Sequence, residues 1–171
     1  MRLPLIVAAV VVAAVAGCSA VPAATTGRPT SAPSESGSGL VPPLGVPVRD
    51  GDLEFAVLGV DRAQQVGDVD KPGMSVDARG VFVVTTLSLR NTGGAPITFI
   101  DRYQTLLDDR GRRFETSNAA DIYGNRDVPS TRINPGDGLV VRIAFDVPVD
   151  TVPARLLLRE SESSAGVTAL L

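Results

Sequence analysis

The search for chemistry starts with nucleophiles and bases, and both are scarce. Among 171 residues there is one cysteine, Cys18, and no histidine. Without an imidazole, neither a His-based triad nor a His-containing zinc site can be built. A serine–lysine pair would have to use Lys71, which stands beside Pro72 in a polar stretch with no partner in view. Carboxylates remain: Asp68 and Asp70, then Asp101, then the pair Asp108-Asp109. Calcium takes roughly six to eight oxygen ligands, but no EF-hand or repeat spacing is present, and aspartate is an ordinary turn residue. These carboxylates therefore read as solvated turns. Arg110, Arg112 and Arg113 form a small basic cluster around a turn. It reads as a charged cover on exposed strands, with contact to anionic headgroups as the sharper alternative. Tyr103 and Tyr123, in a chain without tryptophan, make a poor platform for stacking sugars. The expectation is a protein that is not an enzyme and carries no cofactor and no metal.

The thiol has a different use. Arg2 is the only charge in the first seventeen residues, and Leu3 to Ala16 is an almost wholly apolar run of fourteen. A basic start, a short apolar run and small residues at its end describe a secretory signal. A bilayer-spanning helix needs roughly 20 apolar residues, so a permanent transmembrane helix is the weaker reading. The run leads through Val15-Ala16-Gly17 directly into Cys18. This resembles the lipobox of bacterial lipoproteins: a branched or leucine-like residue, two small residues and cysteine. The resemblance implies cleavage between Gly17 and Cys18, a diacylglycerol on the Cys18 sulfur and an acyl group on its amine. Each buried methylene adds about 0.8 kcal/mol of membrane affinity, so two or three chains anchor firmly where one does not. Cys18 is then consumed, and no disulfide is available to a domain whose compartment would permit one.

Charge excludes another class. The whole chain carries 16 basic against 19 acidic side chains, and loses Arg2 with the signal. A net charge near −4 gives no footing for nucleic acid, which calls for a basic patch or a basic pI. Lysine is nearly absent while arginine, alanine and valine abound, a bias that hints at a GC-rich genome.

The elements that would be carried by such an anchor come next. Ser19 to Gly45 is built of Ser, Thr, Pro, Gly and Ala, with Arg28 and Glu35 its only charges. That composition buries too little apolar surface to offset the entropy of folding, and reads as a disordered tether. As a coil its 27 residues would span about 29 Å r.m.s.. From Val46 to Leu171 the texture changes, and 126 residues suffice for one domain. Val46 to Arg49 leads into the turn Asp50-Gly51-Asp52, and Leu53 to Val60 reads as a strand. Gln64 to Arg79, polar and holding Gly67, Pro72 and Gly73, reads as a sixteen-residue loop.

Two strands are written most clearly, Val81 to Asn91 and Leu139 to Val147, with period-two alternation of β-branched residues. Val81, Val83, Thr85, Leu87 and Leu89 share one face of the first; Leu139, Val141, Ile143, Phe145 and Val147 share one face of the second. The opposite faces carry Phe82, Val84 and Val140, apolar residues where a sandwich expects solvent. They are candidates for an interaction surface, unless a loop or the terminal segment covers them. Short strands are expected at Ile97–Ile100, Gln104–Leu107, Arg112–Glu115 and Ala154–Glu160. Val167–Leu171 reads either as an edge strand or as an apolar tail, and 117–122 as at most one helical turn. Asn91-Thr92-Gly93-Gly94, Asp108-Asp109-Arg110-Gly111 and Asn134-Pro135-Gly136-Asp137 are turns, the last of type II. Seven or eight short strands spaced by turns mean a sandwich or barrel.

Several of these pieces together resemble a known family. They are Arg49-Asp50-Gly51 with Leu53-Glu54-Phe55, Val81 to Asn91, and Pro96-Ile97-Thr98-Phe99. Leu106-Leu107-Asp108, Ile133-Asn134-Pro135-Gly136 and Ala144-Phe145-Asp146-Val147-Pro148 complete them. The pattern over about 46–160 is similar to the telokin-like, immunoglobulin-like extracellular domains of secreted bacterial proteins. That family is of unknown function and includes a small immunogenic protein secreted by mycobacteria. The resemblance implies an all-β, immunoglobulin-like antiparallel β-sandwich and export, and carries over no catalytic residue.

The sequence thus predicts a signal peptide over 1–17, a lipidated Cys18 with its tether over 18–45, and a sandwich over 46–171. The expected location is the cell membrane on its extracytoplasmic side, through lipid on Cys18. The expected role is non-catalytic binding of an envelope protein partner, without nucleic acid. The alternative is a carrier of a lipid or small apolar ligand between the sheets.

Overall fold

Among the described residues, ten strands make up most of the domain. They are β1 (Val48–Asp50), β2 (Leu53–Gly67), β3 (Ser75–Asn91), β4 (Ile97–Ile100), β5 (Thr105–Asp108), β6 (Arg113–Glu115), β7 (Ser130–Ile133), β8 (Gly138–Val147), β9 (Pro153–Leu158) and β10 (Val167–Leu170). The structure is a computed structural model, and it describes residues 41–68, 70–117 and 130–171. The expected signal peptide, Cys18, most of the expected tether, Tyr123 and most of the expected turn at 117–122 lie outside the described residues.

The strands form two four-stranded sheets, ordered β1-β2-β3-β8 and β10-β9-β5-β6, with β4-β7 as a separate ribbon. Every pairing is antiparallel. Alternation explains the packing. Leu53, Phe55 and Val57 of β2, Val83, Leu87 and Leu89 of β3, and Val141, Ile143 and Phe145 of β8 all point one way and are buried. They meet Leu106 of β5, Leu156 and Leu158 of β9 and Ala169 of β10 in one core, which Phe99 and Ile133 of the ribbon complete. The fold is therefore an antiparallel β-sandwich, as the sequence predicts, and Val167–Leu170 is an edge strand paired with β9.

The expected sixteen-residue loop is a correction. β2 runs on to Gly67 and β3 begins at Ser75, so Gln65, Val66 and Gly67 pair with Asp77, Val76 and Ser75. The pairing slips between Ala63 and Gln65 of β2, which face Phe82 and Asp77 of β3, leaving 78–81 as extra length on one side. That mismatch bends the end of the hairpin into an arm. Gln65 donates to the Asp77 side chain across it, and Lys71 pairs with Asp68 at 2.7 Å in its turn. The bend is fixed by Asp146 of β8, whose carboxylate accepts the backbone N–H of Arg79 (3.1 Å) and of Gly80 (3.3 Å). Gly80 is required there by space: a Cβ would lie 2.2 Å from the Val147 carbonyl oxygen.

The turns follow their chemistry. Gly136 has φ +80, as the third position of a type II turn demands, and the Asp137 N–H donates to the Asn134 carbonyl at 3.0 Å. The domain also begins before Val46. Leu170 N–H donates to the Pro42 carbonyl (2.9 Å), and Gly45 N–H to the Val57 carbonyl (2.8 Å), so 42–45 lie on the sandwich although their composition matches the tether.

Candidate functional site

Of the three residues expected on an interaction surface, two are elsewhere. Phe82 and Val84 are 1% and 3% exposed. They form a second, smaller core with Val66 and Ala144, against which Ala63, Val76 and Ala78 pack. The bent arm of β2 and β3 has folded over the outer face of the first sheet. Of the two alternatives for this face, an open interaction surface or cover by a neighbouring segment, the second holds for Phe82 and Val84, and the cover is the segment expected as a loop. Val140 is open to solvent, at 61% exposure.

Two of the three clustered arginines, Arg110 and Arg112, are likewise engaged. Arg112 Nε donates to Asp108 Oδ2 at 2.6 Å, and Asp108 is fully buried. The same carboxylate accepts the backbone N–H groups of Arg110 (3.0 Å) and Arg112 (2.7 Å). Burial alone would raise the Asp108 carboxyl, but the Arg112 side chain and these N–H bonds outweigh it and hold the group below the ordinary carboxylate range. Asp108 in turn raises the Arg112 guanidinium. Arg110 Nη1 reaches Asp150 at 2.7 Å, and with help from the Arg112 charge it lowers the Asp150 carboxyl. Arg112 also lies over the Phe114 ring. This network clasps the β5–β6 turn to the β8–β9 turn. Asp108 reads in the sequence as a solvated turn residue and is instead buried, because Arg112, four residues on, supplies its counter-charge; Asp150, forty residues from Arg110, carries no local signal.

The clasp belongs to a longer seam around one end of the sandwich. Asp109 N–H donates to the Val152 carbonyl at 3.0 Å, and Leu171 N–H to the Ala154 carbonyl at 3.0 Å. Arg62 of β2 donates to the Thr151 carbonyl (2.8 Å) and the Val149 carbonyl (3.0 Å). With Leu170 bonded to Pro42, these bonds bring the β5–β6 turn, the β8–β9 turn, the end of β10 and the chain's entry into the domain to the same end. Exposed aliphatics collect there: Leu44 at 48%, Val149 at 69%, Val152 at 54% and Leu170 at 38%.

The carboxylates weighed for a metal are dispersed. Asp68 and Asp70 sit at the arm's turn, Asp101 is buried in the short 3-10 turn Asp101–Tyr103, and Asp108 is bound to Arg112. Among the described residues no three metal-ligating side chains gather. Tyr103 is half-buried beside the Arg102 guanidinium. A ligand held between the sheets would need space where Phe55, Phe99, Phe145, Leu106 and Leu156 are fully buried against one another. Among the described residues no helix is long and apolar enough to cross a membrane.

Fold and surface together define an antiparallel β-sandwich with two cores and an apolar rim at the end where the chain enters. The chain belongs to the family of a domain of unknown function, DUF4352, which matches residues 42–168. No curated protein matches it in sequence. Solved structures share the fold. The secreted protein MPT63 of Mycobacterium tuberculosis is similar with a TM-score of 0.57 and 15% identity, over 78% of this chain and 100% of that one. A conserved hypothetical protein of Bacillus anthracis is similar with a TM-score of 0.51 and 12% identity, over 72% of this chain and 93% of that one. The yjhA protein of Bacillus subtilis reaches 0.50 and 14%, over 68% and 78%. At these identities the likeness is one of fold. It agrees with the sandwich and with the secreted mycobacterial relative that the sequence resembles.

Proposed function

We propose that this chain is an exported lipoprotein, held to the outer side of the cell membrane by lipid on Cys18, whose β-sandwich acts by non-covalent binding in the envelope. The observation that carries the reading is Val15-Ala16-Gly17-Cys18 at the end of a short apolar run behind Arg2, in a chain with no other cysteine. Secretion of the mycobacterial protein with the same fold supports it. A non-catalytic role rests on composition: no histidine, and a lone lysine engaged by Asp68. Binding is to an envelope protein; a lipid or apolar carrier would have to open a core now filled by phenylalanines and leucines.

Two experiments test this. Cys18→Ser should move the protein from the membrane to the soluble extracytoplasmic fraction, and unchanged fractionation would refute the anchor. Cross-linking in intact cells should yield a discrete protein partner; recovery of lipid or a small molecule alone would refute the interaction module in favour of the carrier.

A further inference from the structure

We infer that the end of the sandwich where the chain enters seats directly on the lipid bilayer, so that the domain is docked as well as tethered. The inference rests on the lipid-anchored reading above. Three observations carry it. First, four of the eight exposed large apolar side chains among the described residues lie at this end. Leu44, Val149, Val152 and Leu170 come from three separate stretches of sequence, and one seam of hydrogen bonds brings those stretches to one end. Scattered surface aliphatics are normal, whereas a contiguous set marks a contact surface.

Second, that end is where the anchor attaches. Only residues 19–40 separate Cys18 from Val41, and Pro42 is bonded to Leu170 within the rim. An acylated Cys18 therefore presents the rim to the bilayer within one short chain length, at an effective concentration on the order of millimolar. A patch too weak to bind membranes alone is enough under that condition. Third, cations back the rim. Arg113, Leu107, Arg155 and Leu170 lie opposite one another across β6, β5, β9 and β10, so they form one row on the outer face of the second sheet. Arg113 and Arg155 are exposed. Aliphatics at an edge with arginines behind them match the boundary between acyl chains and anionic headgroups. The rim also holds the exposed Asp109 and Asp150, the latter paired with Arg110 at 2.7 Å; at the opposite end the β1–β2 turn and the β9–β10 loop meet through Asp50, the Asp52 N–H and Glu160.

The chain has no tryptophan, so a single introduced one reports its surroundings. The full-length, lipidated chain carrying Val152→Trp is reconstituted into vesicles of phosphatidylcholine and phosphatidylglycerol, with some lipids brominated near the top of the acyl chains. The expected result is a blue-shifted emission that the brominated lipids quench. Val140→Trp, on the outer face of β8 away from the rim, should show neither effect. A protein that floats with the vesicles while its Val152→Trp emission stays unquenched overturns the docked end and leaves the anchor standing. A protein that fails to float overturns both. A blue shift without quenching, growing with protein density on the vesicle, means that a second copy covers the rim, and overturns the inference as well.

Discussion

Asp108 is the residue on which the ionic clasp turns. It is fully buried, bound to Arg112 through the side chain and to two backbone N–H groups. Its carboxyl is held below the ordinary range in the folded protein. A lowered folded value means that the clasp contributes its full stability above the unfolded carboxylate value, near pH 4, and loses it as pH falls through the folded value beneath. Asp108→Asn should therefore melt lower than the native protein at pH 7. The difference should shrink as pH drops below about 4. Parallel melting curves down to the lowest pH would show that the charge on Asp108 is not what holds the turns. Gly80 makes a second, steric demand. Its added Cβ would meet the Val147 carbonyl oxygen and lie 3.2 Å from the Pro148 Cα, both backbone atoms that cannot swing aside. Gly80→Ala should cost about 1–3 kcal/mol in denaturant unfolding. A cost near zero would mean that the bend in β3 relaxes freely.

At the scale of elements, the arm of β2 and β3 is the feature that sequence patterning misses. The central strands were legible because Val81–Asn91 and Leu139–Val147 alternate without interruption. The arm was not, because Gly67, Pro72 and Gly73 punctuate it and its residues that pack on Phe82 and Val84, namely Val66, Val76 and Ala78, are interspersed with polar ones. Three small residues do not announce a strand, yet they suffice to cover Phe82 and Val84 once the strand bends. The same gap explains why Phe82 reads as a surface residue: alternation tells which face a side chain takes, and not what lies on that face. β1 and β7 carry little signal because Val48–Asp50 and Ser130–Ile133 each hold a single apolar residue. Phe82→Ala should lose about 3–5 kcal/mol of stability, as for a core phenylalanine. Val66→Ser should instead loosen the arm alone, seen as faster amide hydrogen exchange over 64–78 with β5 and β9 unchanged. Uniform acceleration across both sheets would mean that the two cores unfold as one.

For the molecule as a whole, the fold and the candidate anchor were readable to very different depths. Turn chemistry and strand periodicity carry the sandwich, whereas the anchor is carried by four residues and their position. The rim was invisible in sequence because Leu44, Val149, Val152 and Leu170 have no common pattern; long-range hydrogen bonds alone bring them together. What everything else hangs from is covalent: export, cleavage before Cys18 and lipid on its sulfur, with the sandwich carried intact. It is tested most directly by the intact mass of the native protein extracted from membranes, with fragmentation of its N-terminus. The mature chain should begin at Cys18 and carry a diacylglycerol with an amide-linked acyl group, all of it removed by Cys18→Ser. A mature chain that begins elsewhere, or a Cys18 of unmodified mass, would contradict it.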